Sequence, residues 1–245
     1  MILTKRDIRL MKFLDYFRYA SCTRLCELFF EEKLRVTQRR LKKLYDEELI
    51  IREKNFVSGE YVYRLAKLAI DYLRGSGVEA FSVIKKIPWG LWEHEDYILN
   101  IVVKMKNYNR NFSFISERSL RRYSKIKNEF VPDLEVVLDN NFSLAIEVEK
   151  ERKTRKRILQ KLQNLHRSNE FQTVLYIVWS YGQIPKNILN SYKNIYEPSF
   201  NLMIVSKHIF ENNLEEVMRA IMEAPSGDKE KKVLEIKEFE QLEIT

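Results

Sequence analysis

An alternation of apolar and acidic residues over positions 130–150 predicts a β-hairpin. The turn signal is Asp-Asn-Asn at residues 139–141, because these residue types tolerate left-handed backbone angles. A three-residue loop there places Asp133 directly opposite Glu147 and keeps the acidic side chains on one face. A two-residue loop would pair Leu134 with Glu147 and mix the two faces, so we expect the three-residue register.

The acidic face of this hairpin would bring carboxylates close together. Facing residues on paired strands lie about 5 Å apart at their β-carbons, and like charges at that distance repel unless a divalent cation, a basic side chain or a proton intervenes. A solvated acidic face on an amphipathic hairpin explains the same pattern without an ion. The residues of this face are Asp133, Glu135, Glu147 and Glu149.

The N-terminal part of the chain carries helical patterns followed by two short strand patterns. Thr4 and Ser21 can cap the first two helices, and apolar spacing predicts a third helix over residues 34–48. Strand patterns follow at residues 50–56 and 61–65, with a tight turn between them. This order is typical of a winged helix-turn-helix domain, in which the third helix enters the major groove and the hairpin lies along the DNA backbone.

The third predicted helix presents one polar stripe, because Arg35, Gln38, Arg39 and Lys42 follow the spacing i, i+3, i+4, i+7. In a winged helix this stripe would face DNA. A helical domain with an ordinary solvated basic face would show the same spacing. The predicted DNA contacts are Arg35, Gln38, Arg39, Lys42 and Lys43 on the helix, and Arg52, Lys54 and Arg64 on the hairpin.

Helical and strand patterns alternate through the rest of the chain and predict a mixed α/β domain. A basic helix over residues 151–168 has Lys161 among its packing positions, so that lysine should point toward the sheet. Other cations of this helix are left for solvent or phosphate, among them Arg152, Lys153 and Lys156. The further expected elements are helices at 91–108, 186–192 and 214–222 and strands at 112–115, 173–180 and 202–205.

Glycines at positions 75 and 77 predict a domain boundary. We therefore expect an N-terminal winged helix-turn-helix domain at residues 1–77, a mixed-sheet domain at 78–224 and a charged tail at 225–245. The tail is sparsely apolar and is expected to be weakly structured or to serve as a partner segment.

The composition favours a globular protein with a polyanionic partner. The chain carries 43 Lys and Arg against 35 Asp and Glu, a net charge of +8. Such an excess favours double-stranded DNA as a partner, although it also serves solubility.

The cysteines and histidines show neither a disulfide framework nor zinc spacing. No apolar run reaches membrane-spanning length and MILTKRD lacks a signal-peptide core, so we expect a cytoplasmic protein with no membrane partner.

Two short motifs in the second domain resemble the PD-(D/E)XK nuclease signature. They are Val-Pro-Asp at residues 131–133 and Ile-Glu-Val-Glu at residues 146–149. The resemblance implies a restriction-endonuclease-like mixed sheet whose hairpin carboxylates hold Mg²⁺, with a lysine that positions or activates water. It implies Asp133 and Glu147 as the metal ligands. Glu117 could join them, or could serve a plain helix-capping or surface role.

The chain departs from that signature at Glu149, where a lysine is expected. Lys150 would point to the opposite face of the strand, whereas Lys161 could replace the missing lysine from the helix. Whether the site is an active endonuclease or the remnant of one that now only binds DNA stays open. The candidate catalytic residues are Asp133, Glu147, Lys161, Glu117 and Glu149.

The order of motifs over residues 1–210 resembles the replication-relaxation family of plasmids and integrative elements. The likeness rests on the winged helix followed by His94, residues 114–118, Pro132-Asp133, residues 147–149 and Lys161-Leu162. It implies a DNA-binding protein of a mobile genetic element that acts in plasmid replication, relaxation or conjugative transfer, with a relaxase or a replication protein as partner. Two alternatives stay open: an active magnesium-dependent DNA endonuclease, and a winged-helix transcriptional repressor whose second domain forms a homodimer.

Overall fold

The protein has a mixed α+β fold in a computed structural model. The chain divides into two compact units, Met1–Val103 and Lys104–Thr245. The sequence predicts an α+β chain, and this is confirmed. The structure describes residues 2–31, 33–123, 131–138, 142–151, 153–179 and 182–223, and the backbone of Val233–Glu235.

The first unit packs helices on a three-stranded antiparallel sheet with strand order β1-β3-β2. The third helix ends at Asp46 rather than at residue 48. The elements are α1 (Lys5–Phe17), β1 (Tyr19–Ser21), α2 (Cys22–Phe29), α3 (Leu34–Asp46), β2 (Ile50–Lys54), β3 (Tyr61–Leu65), α4 (Lys67–Gly75), a short 3-10 turn (Trp89–Leu91) and the start of α5 (Trp92–Tyr108).

Side-chain caps fix the starts of the first two helices, as the sequence predicts. The Thr4 hydroxyl accepts a hydrogen bond from the amide of Asp7, and the Asp7 carboxylate accepts one from the amide of Thr4 at 2.7 Å. The hydroxyl of Ser21 accepts from the amide of Arg24 at 3.1 Å. Asp7 is buried and also accepts from Nε of Arg40 at 2.8 Å, so the cap of α1 ties that helix to α3.

The sequence patterns do not predict strand β1, because three residues are too few to display an alternation. Its partner is β3, with Ala20 opposite Tyr63. The unit also extends beyond the boundary predicted after residue 77. Ile87 packs in a cluster with Tyr19 and Val62, which attaches the connector to the first unit. The division between the units therefore falls later, within α5.

The second unit is built on a six-stranded sheet with strand order β4-β5-β6-β7-β8-β9. The pairs β4/β5 and β5/β6 are antiparallel, and every pair from β6/β7 onward is parallel. The elements are β4 (Ser113–Ser116), α6 (Glu117–Tyr123), β5 (Leu134–Val137), β6 (Ser143–Glu149), α7 (Arg155–Ser168), β7 (Thr173–Val178), α8 (Gln183–Tyr192), β8 (Asn201–Ser206), α9 (Lys207–Asn212), α10 (Leu214–Met222) and β9 (Val233–Glu235).

Element boundaries in this unit differ from the predictions by a few residues. The basic helix begins at Arg155 rather than at residue 151, because Thr154 caps it. Helix α9 is not predicted. Within the predicted tail, Val233–Glu235 forms an edge strand, and the rest of that tail lies outside the described residues. None of the described helices combines the length and apolarity that a membrane crossing requires.

The β5–β6 hairpin has the predicted register, with Leu134 opposite Ile146. Its predicted turn, residues 139–141, lies outside the described residues. The acidic face of β6 is not solvated, however. Every residue of β6 is buried, because α7 packs over the face that carries Glu147, with Ala145 and Leu162 in one hydrophobic cluster. The interpretation as a solvated acidic face is therefore wrong for this strand.

Candidate functional site

A buried cluster of ionisable side chains lies on the face of the second sheet that α7 covers. Glu147 and Glu149 occupy alternate positions of β6 and therefore share this face. Tyr176 lies beside Glu147 in the parallel register of β7, and Lys161 reaches the cluster from α7. Glu147 and Tyr176 have no exposed surface. Their charges and hydrogen bonds therefore have to be satisfied within the protein.

Lys161 and Glu147 form a buried ion pair in which the ammonium Nζ donates to Oε2 of the carboxylate. The sequence predicts an inward lysine at this position, and this is confirmed. Burial raises the pKa of Glu147 well above its ordinary value, against the opposing charge of Lys161. Burial alone would lower the pKa of Lys161, but the charges of Glu147 and Asp133 raise it above its ordinary value. Lys161 therefore remains positively charged and compensates Glu147.

Glu149 stands where the nuclease signature expects a lysine, and its side chain is buried. Its Oε1 accepts from Nζ of Lys153 at 2.7 Å. Burial raises the pKa of Glu149, against the opposing charge of Lys153. Lys153 is therefore not left for solvent or phosphate as predicted, because the buried carboxylate holds its ammonium group.

Asp133 lies just before β5, at the position opposite Glu147. Its Oδ2 accepts from the amide of Val148 at 2.9 Å. The negative charge of Asp133 contributes to the raised pKa of Glu147, of Glu149 and of Tyr176. The three carboxylates therefore act on one another in a single cluster, as the hairpin register predicts.

The carboxylate of Glu117 forms an ion pair within its own helix. Glu117 is the first residue of α6, and its carboxylate accepts from the guanidinium of Arg121, one turn later, at 2.6 Å. An ion pair of this kind is a common feature of an exposed helix turn. The backbone amide of Glu117 donates to the carbonyl of Asp133 at 3.2 Å, so Glu117 lies beside the hairpin that carries the acidic face. Its role as a metal ligand stays a prediction.

Three polar atoms of the cluster are buried and have no hydrogen-bond partner among the described residues. They are Oε1 of Glu147, Oε2 of Glu149 and the hydroxyl of Tyr176. Buried carboxylate oxygens are hard donors of the kind that Mg²⁺ prefers.

A closed cage of protein ligands is absent from the part of the chain that is described, which contains no group of three or more His, Cys, Asp or Glu that could hold a metal ion. Mg²⁺ usually keeps several waters and needs only one or two carboxylates. Because the ammonium of Lys161 already holds one oxygen of Glu147, a magnesium site on this face stays a prediction.

The sequence patterns do not single out Tyr176. Its signal is a hydroxyl in the middle of the apolar run TVLYIV, since a buried tyrosine hydroxyl usually needs a partner. That signal does not identify the neighbour, because Glu147 and Tyr176 meet only through the pairing of β6 with β7. Tertiary structure is needed to place this residue in the cluster.

The predicted polar stripe of α3 lies on the surface of the first unit. Its opposite face is buried through Thr37, Leu41 and Leu44. Neither Arg35 nor Arg39 forms an ion pair with any described residue. The exposed residues of the stripe and beside it are Arg35, Gln38, Arg39, Lys42 and Lys43, of which Lys42 pairs with Asp46 at 2.7 Å.

The β2–β3 hairpin is attached to α3 through Arg52. The guanidinium of Arg52 lies 4.4 Å from the ring centre of Tyr45 on α3 and 4.7 Å from that of Tyr61 on β3. Lys54, further along the same strand, is exposed. These two predicted DNA contacts therefore lie along a strand that is held against α3.

Arg64 is not available to DNA, contrary to the prediction. It is 8% exposed, and its guanidinium donates to Glu53 at 2.7 Å and to the carbonyl of Ile84 at 2.7 Å. The cause is the strand register, which pairs Arg64 with Ile51 rather than with Arg52. Arg52 and Arg64 therefore point to opposite faces of the sheet.

The remaining predicted phosphate contacts lie near the start of α7. Lys156 is exposed there, beside the exposed Arg155 and Arg157. Arg152 lies outside the described residues.

Comparisons with protein-family models, curated proteins and solved structures give no match. Function is therefore inferred from the geometry of the chain itself.

Proposed function

We propose that this protein binds duplex DNA through its first unit, which acts as a winged helix-turn-helix domain, and that its second unit is nuclease-like. The observation that carries the proposal is the exposed stripe of α3, whose Arg35 and Arg39 have no ion-pair partner among the described residues. Arginine side chains presented by a helix suit the base edges of the major groove. The hairpin beside α3 adds Lys54 for the phosphate backbone.

The second unit supports the nuclease-like part of the proposal. Its order of β4, β5 and β6 antiparallel, then α7, then β7 parallel to β6 brings carboxylates and a helix lysine onto one face. The biological role that accords with the sequence resemblance is plasmid replication, relaxation or conjugative transfer. In that role the protein would place a relaxase or a replication protein at a DNA site.

Binding of the wild-type protein to a short duplex is expected to weaken steeply with salt. Five exposed cations are available on α3 and the hairpin, namely Arg35, Arg39, Lys42, Lys43 and Lys54. If each neutralises one phosphate, affinity falls by about 500-fold between about 50 and 200 mM salt. Fluorescence anisotropy of a labelled duplex measures this. A protein that binds no duplex at low salt, or whose affinity does not change with salt concentration, would contradict the proposal.

An active magnesium-dependent endonuclease is the second candidate, because Lys161 supplies a cation to the acidic face from α7. Asp133 and Glu147 would hold Mg²⁺, which stabilises charge on a phosphate oxygen and lowers the pKa of bound water. Lys161 would then be the group that orients water or phosphate. Against this candidate, Glu149 adds a carboxylate where the signature expects a cation, and a carboxylate repels phosphate.

We expect supercoiled plasmid to remain intact when the wild-type protein is incubated with it and Mg²⁺. Gel electrophoresis separates nicked, linear and supercoiled forms. Asp133→Asn is the diagnostic variant, because it removes the charge and keeps an oxygen that can accept from the amide of Val148. Glu151→Ala is its control, since that acidic residue is exposed. Cleavage that Asp133→Asn abolishes and Glu151→Ala preserves would make the protein a nuclease.

A further inference from the structure

The tip of the β2–β3 hairpin presents two adjacent apolar side chains to solvent. Phe56 is 79% exposed and Val57 is 82% exposed. Single exposed apolar residues are common on proteins, but an aromatic residue and a β-branched one side by side at a projecting turn form a patch. Such a pair at a hairpin tip is suited to burial against a partner.

The backbone of this tip is fixed by hydrogen bonds around Asn55, which is buried. Its side-chain Oδ1 accepts from the amides of Val57 at 2.8 Å and Ser58 at 3.2 Å. Its backbone amide donates to the carbonyl of Glu60, and its carbonyl accepts from the amide of Gly59, both at 2.8 Å. The tip is therefore preorganised, which lowers the entropic cost of inserting it into a partner.

The ring of Phe56 is directed by an edge-to-face contact with Trp89. The two ring centres are 6.0 Å apart and the planes are inclined at 73°. This contact orients the ring while leaving most of it exposed. The aromatic side chain therefore has a defined direction before any partner binds.

Charge around the tip favours a polyanion as its partner. Lys54 is exposed on the strand that leads into the tip, and Arg52 lies two residues earlier on the same face. The one carboxylate of the turn, on Glu60, accepts from the amide of Thr23 at 2.7 Å and is thereby held at the start of α2. An apolar tip flanked by cations suits the minor groove, where bases are reached between two rows of phosphates.

We propose that Phe56 and Val57 form an apolar wedge that enters the minor groove of the bound duplex and partly unstacks one base step, next to the major groove that receives α3. This proposal depends on the DNA-binding function proposed above. Apolar side chains inserted in this way kink a duplex by about 20–90°. Lys54 contacts phosphate at the mouth of the groove.

The test is DNA bending measured by energy transfer between dyes at the two ends of a duplex about 30 base pairs long. The duplex is one that the wild-type protein recovers from a randomised pool. Wild-type protein is expected to increase the transfer. Phe56→Ala should abolish the increase and weaken binding by about tenfold, as loss of one aromatic stacking contact does. Phe56→Leu keeps an apolar wedge and should retain most of the bend.

Two control variants separate the wedge from other roles of the tip. Leu68→Ala removes an exposed apolar side chain from α4 in the same unit, and should bind and bend as the wild type does. Phe56→Lys adds a cation at the tip, and should bind DNA without the bend. Circular dichroism checks that each variant is folded.

The outcomes distinguish the wedge from the proposed function. Wild-type protein that binds the duplex without changing the transfer, or Phe56→Ala that bends it fully, would overturn the wedge and leave DNA binding intact. A bend retained by Phe56→Lys would also overturn it. Self-association that Phe56→Ala abolishes while bending persists would reassign the tip to protein docking. Failure of the wild type to bind any duplex would overturn both proposals.

Discussion

Replacing Lys161 by alanine is expected to destabilise the protein by about 3–5 kcal/mol. Lys161 is the ion-pair partner of Glu147, which has no exposed surface, and the second carboxylate oxygen of Glu147 is already without a hydrogen-bond partner among the described residues. Loss of the ammonium group therefore leaves a buried carboxylate that is charged without compensation at high pH or takes up a proton at low pH, and both states are less stable than the ion pair. Urea unfolding of the wild type and the variant measures the difference in the free energy of unfolding.

The loss of stability in Lys161→Ala should depend on pH in a defined direction. Burial raises the pKa of Glu147 in the folded protein, and removal of Lys161 raises it further. The folded state then binds a proton more readily than the unfolded state, so stability decreases as pH rises. The deficit of Lys161→Ala should therefore be larger at about pH 8 than at about pH 5.5. A deficit that grows at low pH would contradict the buried charge pair.

Two further variants isolate the ion pair from the loss of a lysine side chain. Lys156→Ala removes an exposed lysine from the same helix and should change stability by less than about 0.5 kcal/mol. Lys161→Met combined with Glu147→Leu removes both charges and should recover most of the stability, because an apolar pair can replace a buried ion pair. An equal cost for Lys161→Ala and Lys156→Ala would show that Glu147 does not depend on Lys161.

The double variant Arg35→Ala/Arg39→Ala should weaken duplex binding by about 100-fold at fixed salt, because each arginine contact with DNA contributes about 1–3 kcal/mol. The wild-type side chains are exposed on α3 and have no ion-pair partner among the described residues. Their loss should therefore affect binding without affecting stability. Anisotropy titration with the wild-type-selected duplex measures binding, and thermal unfolding measures stability.

A charge-matched control decides whether the face of α3 matters or only the net charge. Arg9→Ala/Lys67→Ala removes two exposed cations from α1 and α4, and should weaken binding only slightly. If both double variants lost the same affinity, α3 would not be the DNA-reading helix. The single variant Arg39→Ala should also reduce discrimination between duplex sequences, whereas Lys54→Ala should weaken all sequences alike and reduce the salt slope by about one.

Local patterns are enough to predict features that depend on one element or on two neighbouring strands. The caps at Thr4 and Ser21 follow from their positions before helical runs, and both are present. The register that sets Leu134 opposite Ile146 follows from alternation and turn chemistry. The inward direction of Lys161 follows from helical spacing. A cap occupies a fixed position before its helix, and side-chain direction repeats with the period of its own element, which is why these features can be predicted from the sequence.

The candidate DNA contacts show where local patterns stop being sufficient. Arg52 and Arg64 look alike in sequence, since both are arginines of the hairpin. The pairing of Ile51 with Arg64 sends Arg64 toward Glu53 and Ile84 and leaves Arg52 beside α3. Which arginine remains accessible depends on the register and on the connector that covers one face, and neither is a property of the residue itself.

The cluster of Asp133, Glu147 and Glu149 shows the same limit of local sequence patterns more strongly. Residue spacing alone predicts that carboxylates share one face of the hairpin and that a helix lysine points toward the sheet. Three further features arise from tertiary packing: α7 covers this face, Lys153 neutralises Glu149, and Tyr176 lies beside Glu147. The reason is that burial and charge pairing arise between elements that are distant in sequence. The pattern of residues within either element alone therefore does not predict these contacts.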